Sequence, residues 1–328
     1  MHDEALGMAS GSVSPLVASS DPWPITVAVI GAAGLIGSGV VAGLAVAGLC
    51  QEIRMLDLRQ NLVEAHAIDI RESQALTGST HTRLVTTAGD GPVDLVVVAA
   101  SAPETPGGDR RDFLRANLQL LDKLTPQIQA LTGTEGTVML LSNPVDILAE
   151  HLRRTTSIRP ERIVGYSLND SVRFRLAISR ELGLSVDRVQ ALVLGEHGAA
   201  QVPVFSGITV DGIVQHLDAD QRQRVRADVN GWFQRWSDLK PGRSSGWTTP
   251  LGTVEVVRAM GASTPIPATV WTGEIPELQD SYVTVLSSFT PAGGVRAMLP
   301  PLDAQELAQL QQAAQSVHEA ATEAAASL

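Results

Sequence analysis

The sequence predicts an α/β protein: a doubly wound parallel sheet followed by a mixed α/β domain. Two observations carry that expectation. The first is a set of short, continuous apolar runs separated by stretches of helical period, the signature of parallel strands covered on both faces. The second is a change of texture past the middle of the chain, where helical and alternating segments mix without a βα repeat. The 328 residues, 44% of them hydrophobic, suffice for two units with a cleft between them.

In chain order, residues 1–23 are rich in Ser, Ala and Gly and read as a disordered tail with no basic-then-apolar signal pattern. Ile25 to Ile30 (ITVAVI) is a buried-strand run. It meets a glycine turn and then a small, apolar helical segment from Ser38 to Leu49. Glu52 to Leu58 reads as a second strand ending in an acid, with a helical stretch from Leu58 onward; Asp94 to Ala100 and Thr137 to Leu141 read as later strands. Between the last two, Arg111 to Leu131 has helical period. Past residue 163 the helical patterns are Asp170 to Leu182, Ala219 to Leu239 and Asp303 to Ala325, and the strands are Val189 to Leu194 and Gly207 to Val214. Asp303 and Glu306 have capping-box spacing at the start of the last helix. The division expected is therefore a first domain over 24–163 and a second over 164–328.

Composition removes several classes of function. A formal charge of -11 argues against a duplex nucleic-acid surface, which needs clustered Lys and Arg. Only Lys123 and Lys240 are lysines, so there is no Lys-based phosphate loop. Cys50 is the sole cysteine, which rules out an intrachain disulfide and a cysteine zinc cluster, so no metal is expected; a reducing, cytoplasmic compartment is the simplest setting. No apolar run approaches the ~20 residues that span a bilayer, and no membrane association is expected.

Gly31-Ala32-Ala33-Gly34-Leu35-Ile36-Gly37 lies directly between a strand and a helix, the context that gives a glycine fingerprint meaning. Glycines permit the tight turn and let backbone approach a pyrophosphate, while the helix N-terminus offers unpaired N–H groups and positive dipole. The alternative is a tight βα turn with no ligand. Asp57, at the end of the second strand and 20 residues past Gly37, is where a carboxylate can bind an adenosine ribose and repel a 2′-phosphate, which favours NAD on a Rossmann-type domain. Its alternative role is a helix N-cap.

Three further motifs are candidates for chemistry. Gly195-Glu196-His197-Gly198 sets an imidazole between two glycines at a strand end, where it is expected to be exposed and to serve as general acid/base or simply as a turn histidine. Asp170 and Arg173 are i, i+3 on one helix, able to orient His197 and to fork a carboxylate, or merely to form a surface ion pair. The segment 103–111 (PETPGGDRR) reads as a loop over the strand ends, either a closing lid or an ordinary solvated loop. In Ser142-Asn143-Pro144-Val145-Asp146, Asn143 can donate to a carbonyl, although taken singly the segment is a turn.

Together, GAAGLIG, MLDLRQNLVEAHAIDI, PETPGGDRRDFLRAN, SNPVD, LNDSVRFR and GEHG resemble the malate/lactate dehydrogenase family, in order and from Ile25 to the final helix. The glycine turn resembles the malate dehydrogenase form. The resemblance implies a hydride transfer between NAD and a small 2-hydroxy acid/2-oxo acid pair. His197 would be the acid/base, Asp170 its orienting partner, Arg110 the lid arginine on the carbonyl and Arg173 the clamp on the carboxylate. Asn143 would contact both the reacting oxygen and the nicotinamide. Thr248, in a GWTT segment, resembles the opposite wall of the substrate pocket. A homodimer or homotetramer is implied in the same way.

The sequence departs from the family at Asn169 (usually Leu), Ala199 (often Asp), Gly108 and Asp109, none of which removes a catalytic group. Glu104 matters more. It occupies the lid position where malate dehydrogenases of the family have Arg and many lactate dehydrogenases Gln, so the implied substrate is not ordinary malate. Two rivals remain: a non-catalytic NAD-binding sensor, which need not keep the acid/base set, and malate dehydrogenase proper. The short-chain dehydrogenases want a Tyr four residues before a Lys, which neither Tyr166 nor Tyr282 supplies.

Overall fold

Strand β1 (Thr26–Ile30) is the centre from which the sheet grows in both directions, because it is apolar on both faces and can be covered on both. It pairs in parallel with β2 (Glu52–Leu56) on one side and β4 (Leu95–Val98) on the other. Strands β3 (Arg83–Val85), β5 (Thr137–Leu140) and β6 (Ile163–Gly165) extend the parallel order to β3-β2-β1-β4-β5-β6. The order reverses between β1 and β4, and in open α/β sheets ligands bind outside the carboxyl ends of strands at such a switch point. The computed structural model describes residues 24–103, 110–241, 246–290 and 293–326, and of residue 110 the backbone only. The expected tail over 1–23 lies outside the described residues.

Alternation along β1 sorts the helices between the two faces. Val27 and Val29 pack with Val40, Val41 and Leu44 of α1 (Leu35–Ala47), Val63 and Ala67 of α2 (Gln60–Thr77), and Met260 of a helix late in the chain. Ala28 and Ile30 share the opposite core with Leu118 and Ile128 of α3 (Arg110–Thr132) and Leu148 and Leu152 of α4 (Val145–Thr155). The doubly wound architecture is therefore present, with helix α1 starting three residues earlier than its hydrophobic pattern indicated.

Beyond β6 the sheet continues without a break but changes sense. After α5 (Leu168–Leu182) come β7 (Val189–Gln190), β8 (Val193–Gly195) and β9 (Gln201–Pro203), then β10 (Thr209–Val210) and β11 (Ile213–Val214). Helices α6 (Ala219–Asn230), α7 (Trp232–Asp238) and α8 (Thr248–Ala262) precede β12 (Ile266–Trp271), β13 (Tyr282–Phe289) and β14 (Val295–Met298), and α9 (Ala304–Ala326) ends the described chain. Strand β12 joins β6 antiparallel through Thr269 and Gly165, and β13, β8, β9 and β14 follow, all antiparallel. The expected boundary at 163/164 falls inside β6.

Several expected elements divide. The strand anticipated over Val189 to Leu194 is two short strands in two different sheets, β7 in a three-stranded sheet with β10 and β8 in the main one. The strand over Gly207 to Val214 is a hairpin, β10 and β11, turned by Asp211 (φ 51°) and Gly212 (φ 78°), an Asp-Gly pair suited to a type I′ turn. The helix over Ala219 to Leu239 breaks at Gly231 into α6 and α7. At α9 the capping box is formed: Glu306 N–H donates to Asp303 (2.8 Å) and Asp303 N–H to Glu306 (3.0 Å). Glu306 also accepts from Ser206 N–H (2.9 Å), tying that helix to the segment after β9.

Candidate active site

The glycine turn is closed by backbone bonds, with Gly31 and Ala32 N–H donating to Leu56 O at 2.8 and 3.1 Å. Gly31 has φ +91°, and a Cβ there would stand 2.6 Å from Ala100 N; a Cβ on Gly37 would stand 2.1 Å from Gly31 O. Neither position admits a side chain. Gly34 is the N-cap of α1 and no side chain caps the helix, so the N–H groups of its first turn, on Leu35, Ile36 and Gly37, have no intrahelical acceptors. Such a backbone cradle fits a pyrophosphate.

Asp57 stands on the rim of the same turn. Its Oδ2 accepts Ala33 N–H (3.1 Å) and its Oδ1 accepts both the backbone N–H (3.0 Å) and Nε (3.1 Å) of Arg59. Burial raises its pKa, but these bonds from Arg59 and Ala33 outweigh it and hold the carboxyl below the usual range. Asp57 is not the N-cap of α2, a position occupied by Arg59. The residues present fit a dinucleotide, with the Arg59 guanidinium lying on the carboxylate that would meet the ribose.

The second cluster forms where α5, the β8 end and the β5 end converge. Asp170, in the first turn of α5, accepts from His197 Nδ1 at 2.6 Å through Oδ2 and from Arg173 at 3.2 Å through Oδ1. An ionised carboxylate can only accept, so Nδ1 carries hydrogen and Nε2 is the exchangeable position. The i, i+3 pair is no surface bridge, since the side chains of Asp170 and Arg173 are buried and half-buried. His197 is also not exposed as expected: its side chain is 14% accessible. The reason is a second carboxylate that the sequence reading did not single out. Asp146, 1% exposed on the first turn of α4, accepts His197 N–H (3.0 Å) through Oδ2 and Thr269 Oγ1 (3.2 Å) through Oδ1. It draws the histidine loop inward, and burial pushes its own pKa up to about 7.

For His197, burial favours the neutral ring, but the charge and hydrogen bond of Asp170, with a smaller push from Asp146, leave its pKa raised above 6.5. Arg173 is pulled the other way, its pKa lowered chiefly by burial. Asn143 is exposed, three residues before Asp146 and preceded by Ser142, whose Oγ donates to Ala100 O; the Asn143-Pro144 bond is cis. Thr248 opens α8 beside α5. Tyr166 OH donates to Asn169 Oδ1 (2.7 Å) and approaches Thr248 O (3.5 Å), while Asn169 Nδ2 donates to Thr249 Oγ1 (3.0 Å). The departure at Asn169 is thus matched by two hydroxyl partners.

Glu104, Gly108 and Asp109 lie outside the described residues, as does the side chain of Arg110, whose backbone begins α3. The start of that loop is pinned by Asn117, 2% exposed, which accepts Ala102 N–H (2.9 Å) and Ser101 Oγ (3.2 Å). Among the described residues no group of three His, Cys, Asp or Glu is placed to hold a metal, and no helix is long and apolar enough to cross a membrane.

Residues 25–165 match the model of the lactate/malate dehydrogenase NAD-binding domain, and residues 168–231 that of the lactate/malate dehydrogenase α/β C-terminal domain. A malate dehydrogenase of Haloferax volcanii is 33% identical over 71% of this chain and 77% of its own length. An L-lactate dehydrogenase of Bifidobacterium animalis subsp. lactis is 25% identical over 92% of this chain and 97% of its own. The solved malate dehydrogenase of Salinibacter ruber superposes with a TM-score of 0.80 at 26% identity, covering 92% of this chain and 98% of that one. With the glycine turn, the doubly wound sheet and these matches in hand, the chain belongs to the lactate/malate dehydrogenase family and is an NAD-dependent oxidoreductase of hydroxy acids.

Proposed function

We propose that the protein interconverts a small 2-hydroxy acid and its 2-oxo acid, that His197 is the acid/base, and that the substrate is not ordinary malate. The observation that carries the assignment of roles is the single carboxylate of Asp170 shared between His197 Nδ1 and Arg173. One oxygen fixes the imidazole so that Nε2 can exchange a proton, and the other holds a guanidinium able to fork a carboxylate next to it. When bound, NAD supplies the carbon that accepts or donates the hydride; the backbone N–H groups after Gly34 and the Asp57 carboxylate would hold it. In oxidation His197 Nε2 takes the hydroxyl proton and Asp170 stabilises the imidazolium. In reduction the protonated ring returns that proton, aided by Arg110 at the carbonyl, with Asn143 and Thr248 lining the site. The first domain binds the cofactor and the second, from 164 on, supplies Asp170, Arg173 and His197.

Glu104 supports the choice of substrate. A carboxylate at the lid position meets a distal carboxylate with repulsion: two unit charges about 4 Å apart interact by ~4 kcal/mol at an effective dielectric of 20. A neutral or amine-bearing 2-oxo acid suits it better. The relatives, which include both lactate and malate dehydrogenases, leave that choice open, so malate dehydrogenase proper is the competing reading. Exposed apolar side chains on α2 (Leu62, Ile68) and at the start of α8 (Trp247, Leu251) support a homodimer or homotetramer, and the single buried Cys50 supports a cytoplasmic setting.

The test is a panel of 2-oxo acids followed by NADH absorbance in wild type, Glu104→Arg and His197→Asn. Expected are a preference for an oxo acid other than oxaloacetate, a gain for oxaloacetate in Glu104→Arg, and at least ~100-fold loss of turnover in His197→Asn with NADH affinity kept. A wild-type preference for oxaloacetate that Glu104→Arg does not improve makes the protein a malate dehydrogenase with an unusual lid.

A further inference from the structure

Arg173 is held by two contacts of different kinds. Its NH1 donates in the guanidinium plane to Asp170, and the ring of Trp232 lies under the plane, 3.7 Å from the guanidinium carbon to the ring centroid. One in-plane hydrogen bond leaves the fork free to rotate about that bond. A ring against its face restricts that rotation, and a guanidinium so fixed can meet a carboxylate in plane with the N–H groups it does not give to Asp170. We propose that Trp232 is a positioning residue, fixing the guanidinium plane of Arg173 for the carboxylate shared by every 2-oxo acid substrate.

The surrounding structure holds Trp232 in that place. Arg173 and Arg180 are seven residues apart, two turns along one face of α5. Trp232 and Asp228 are four apart across the junction of α6 and α7, and both touch that face of α5: Arg173 on Trp232, Arg180 on Asp228 at 2.6 Å. Asp228 also accepts from Arg235 (2.6 Å), which pins α7 back onto α6. Trp236, one turn further along α7, stacks on Trp232 with centroids 5.8 Å apart and planes 10° from parallel. The break at Gly231 ends α6 so that this aromatic pair is presented to α5.

The proposal rests on Arg173 receiving the substrate carboxylate, and the experiment separates the two. Trp232→Leu, Trp232→Phe and Arg173→Lys are compared with wild type for KM and kcat with the two best 2-oxo acids of the panel, and for NADH affinity by fluorescence titration. Cation–π contacts of this kind correspond to roughly 3- to 30-fold in affinity. Trp232→Leu is therefore expected to raise KM by that factor for both oxo acids alike, with kcat changed less than about threefold and NADH affinity unchanged. Trp232→Phe keeps an aromatic face and is expected to stay within about threefold of wild type. Arg173→Lys, which keeps charge but loses the fork, should raise KM at least tenfold. If Arg173→Lys raises KM but Trp232→Leu does not, or if Phe fails to rescue, or if only one oxo acid is affected, the positioning role is overturned and Arg173 as clamp survives. Unchanged KM in Arg173→Lys overturns the clamp, and the proposal with it.

Discussion

Replacing Asp146 by Asn should make the protein's stability much less sensitive to pH. Asp146 is 1% exposed, and burial lifts its pKa from 3.8 to about 7. Between those values the folded chain keeps the proton while the unfolded chain has released it, so stability falls as pH rises through the window and levels off above about 7. At roughly 1.4 kcal/mol per pH unit, that climb corresponds to on the order of 4 kcal/mol, of which about 2 to 3 lies between pH 5 and 8. Asn does not titrate, yet it fits the same contacts: Oδ1 accepts His197 N–H, and Nδ2 donates to Thr269 Oγ1, whose hydroxyl hydrogen then turns to Thr284 Oγ1, 3.1 Å away. Urea unfolding of both proteins at pH 5 and pH 8 isolates the effect, every other carboxylate being common to the two. Asp146→Asn should gain on wild type by about 2 to 3 kcal/mol between those pH values. A stability difference that is the same at both would show that Asp146 ionises normally in the fold, its burial offset by the neighbouring imidazolium.

Asp170→Asn should shift the pH profile of oxo acid reduction. The raised pKa of His197 keeps the ring protonated to higher pH, so kcat/KM for reduction falls as pH rises through it; without the Asp170 charge that fall should move to lower pH, and an unmoved limb would remove Asp170 from the role. NAD should be preferred to NADP by at least about tenfold in kcat/KM, and Arg59→Ala should widen the gap, because Arg59 now sits on the Asp57 carboxylate that would repel a 2′-phosphate. Comparable efficiency with both cofactors in wild type would contradict that placement of Asp57.

What was legible in the sequence is what depends on local chain chemistry. Continuous apolar runs read as strands because a strand covered on both faces has no polar side to alternate with, and β1, β4 and β5 lie within two residues of those runs. The glycine turn was legible because only residues without Cβ fit where Gly31 and Gly37 stand. The Asp170–Arg173 pair followed from helical spacing, whereas its link to His197 came through the family resemblance. The hairpin of β10 and β11 carried a legible signal in Asp211-Gly212, a pair that favours a two-residue turn, whereas helical pattern runs on through Gly231 while the backbone turns there. Short strands such as β3 and β6 carry too few residues to show a period.

The sequence by itself determined which chemical groups are present and which helix or strand end carries each. Tertiary structure decided their surroundings. The burial of His197 depends on Asp146, 51 residues earlier in the chain. The raised pKa of Asp146 follows from its burial between α4 and β12, and the ring against Arg173 comes from a tryptophan two helices away. None of these is legible in spacing, because hydrogen bonding, desolvation and stacking act across space between segments whose separation along the chain carries no period.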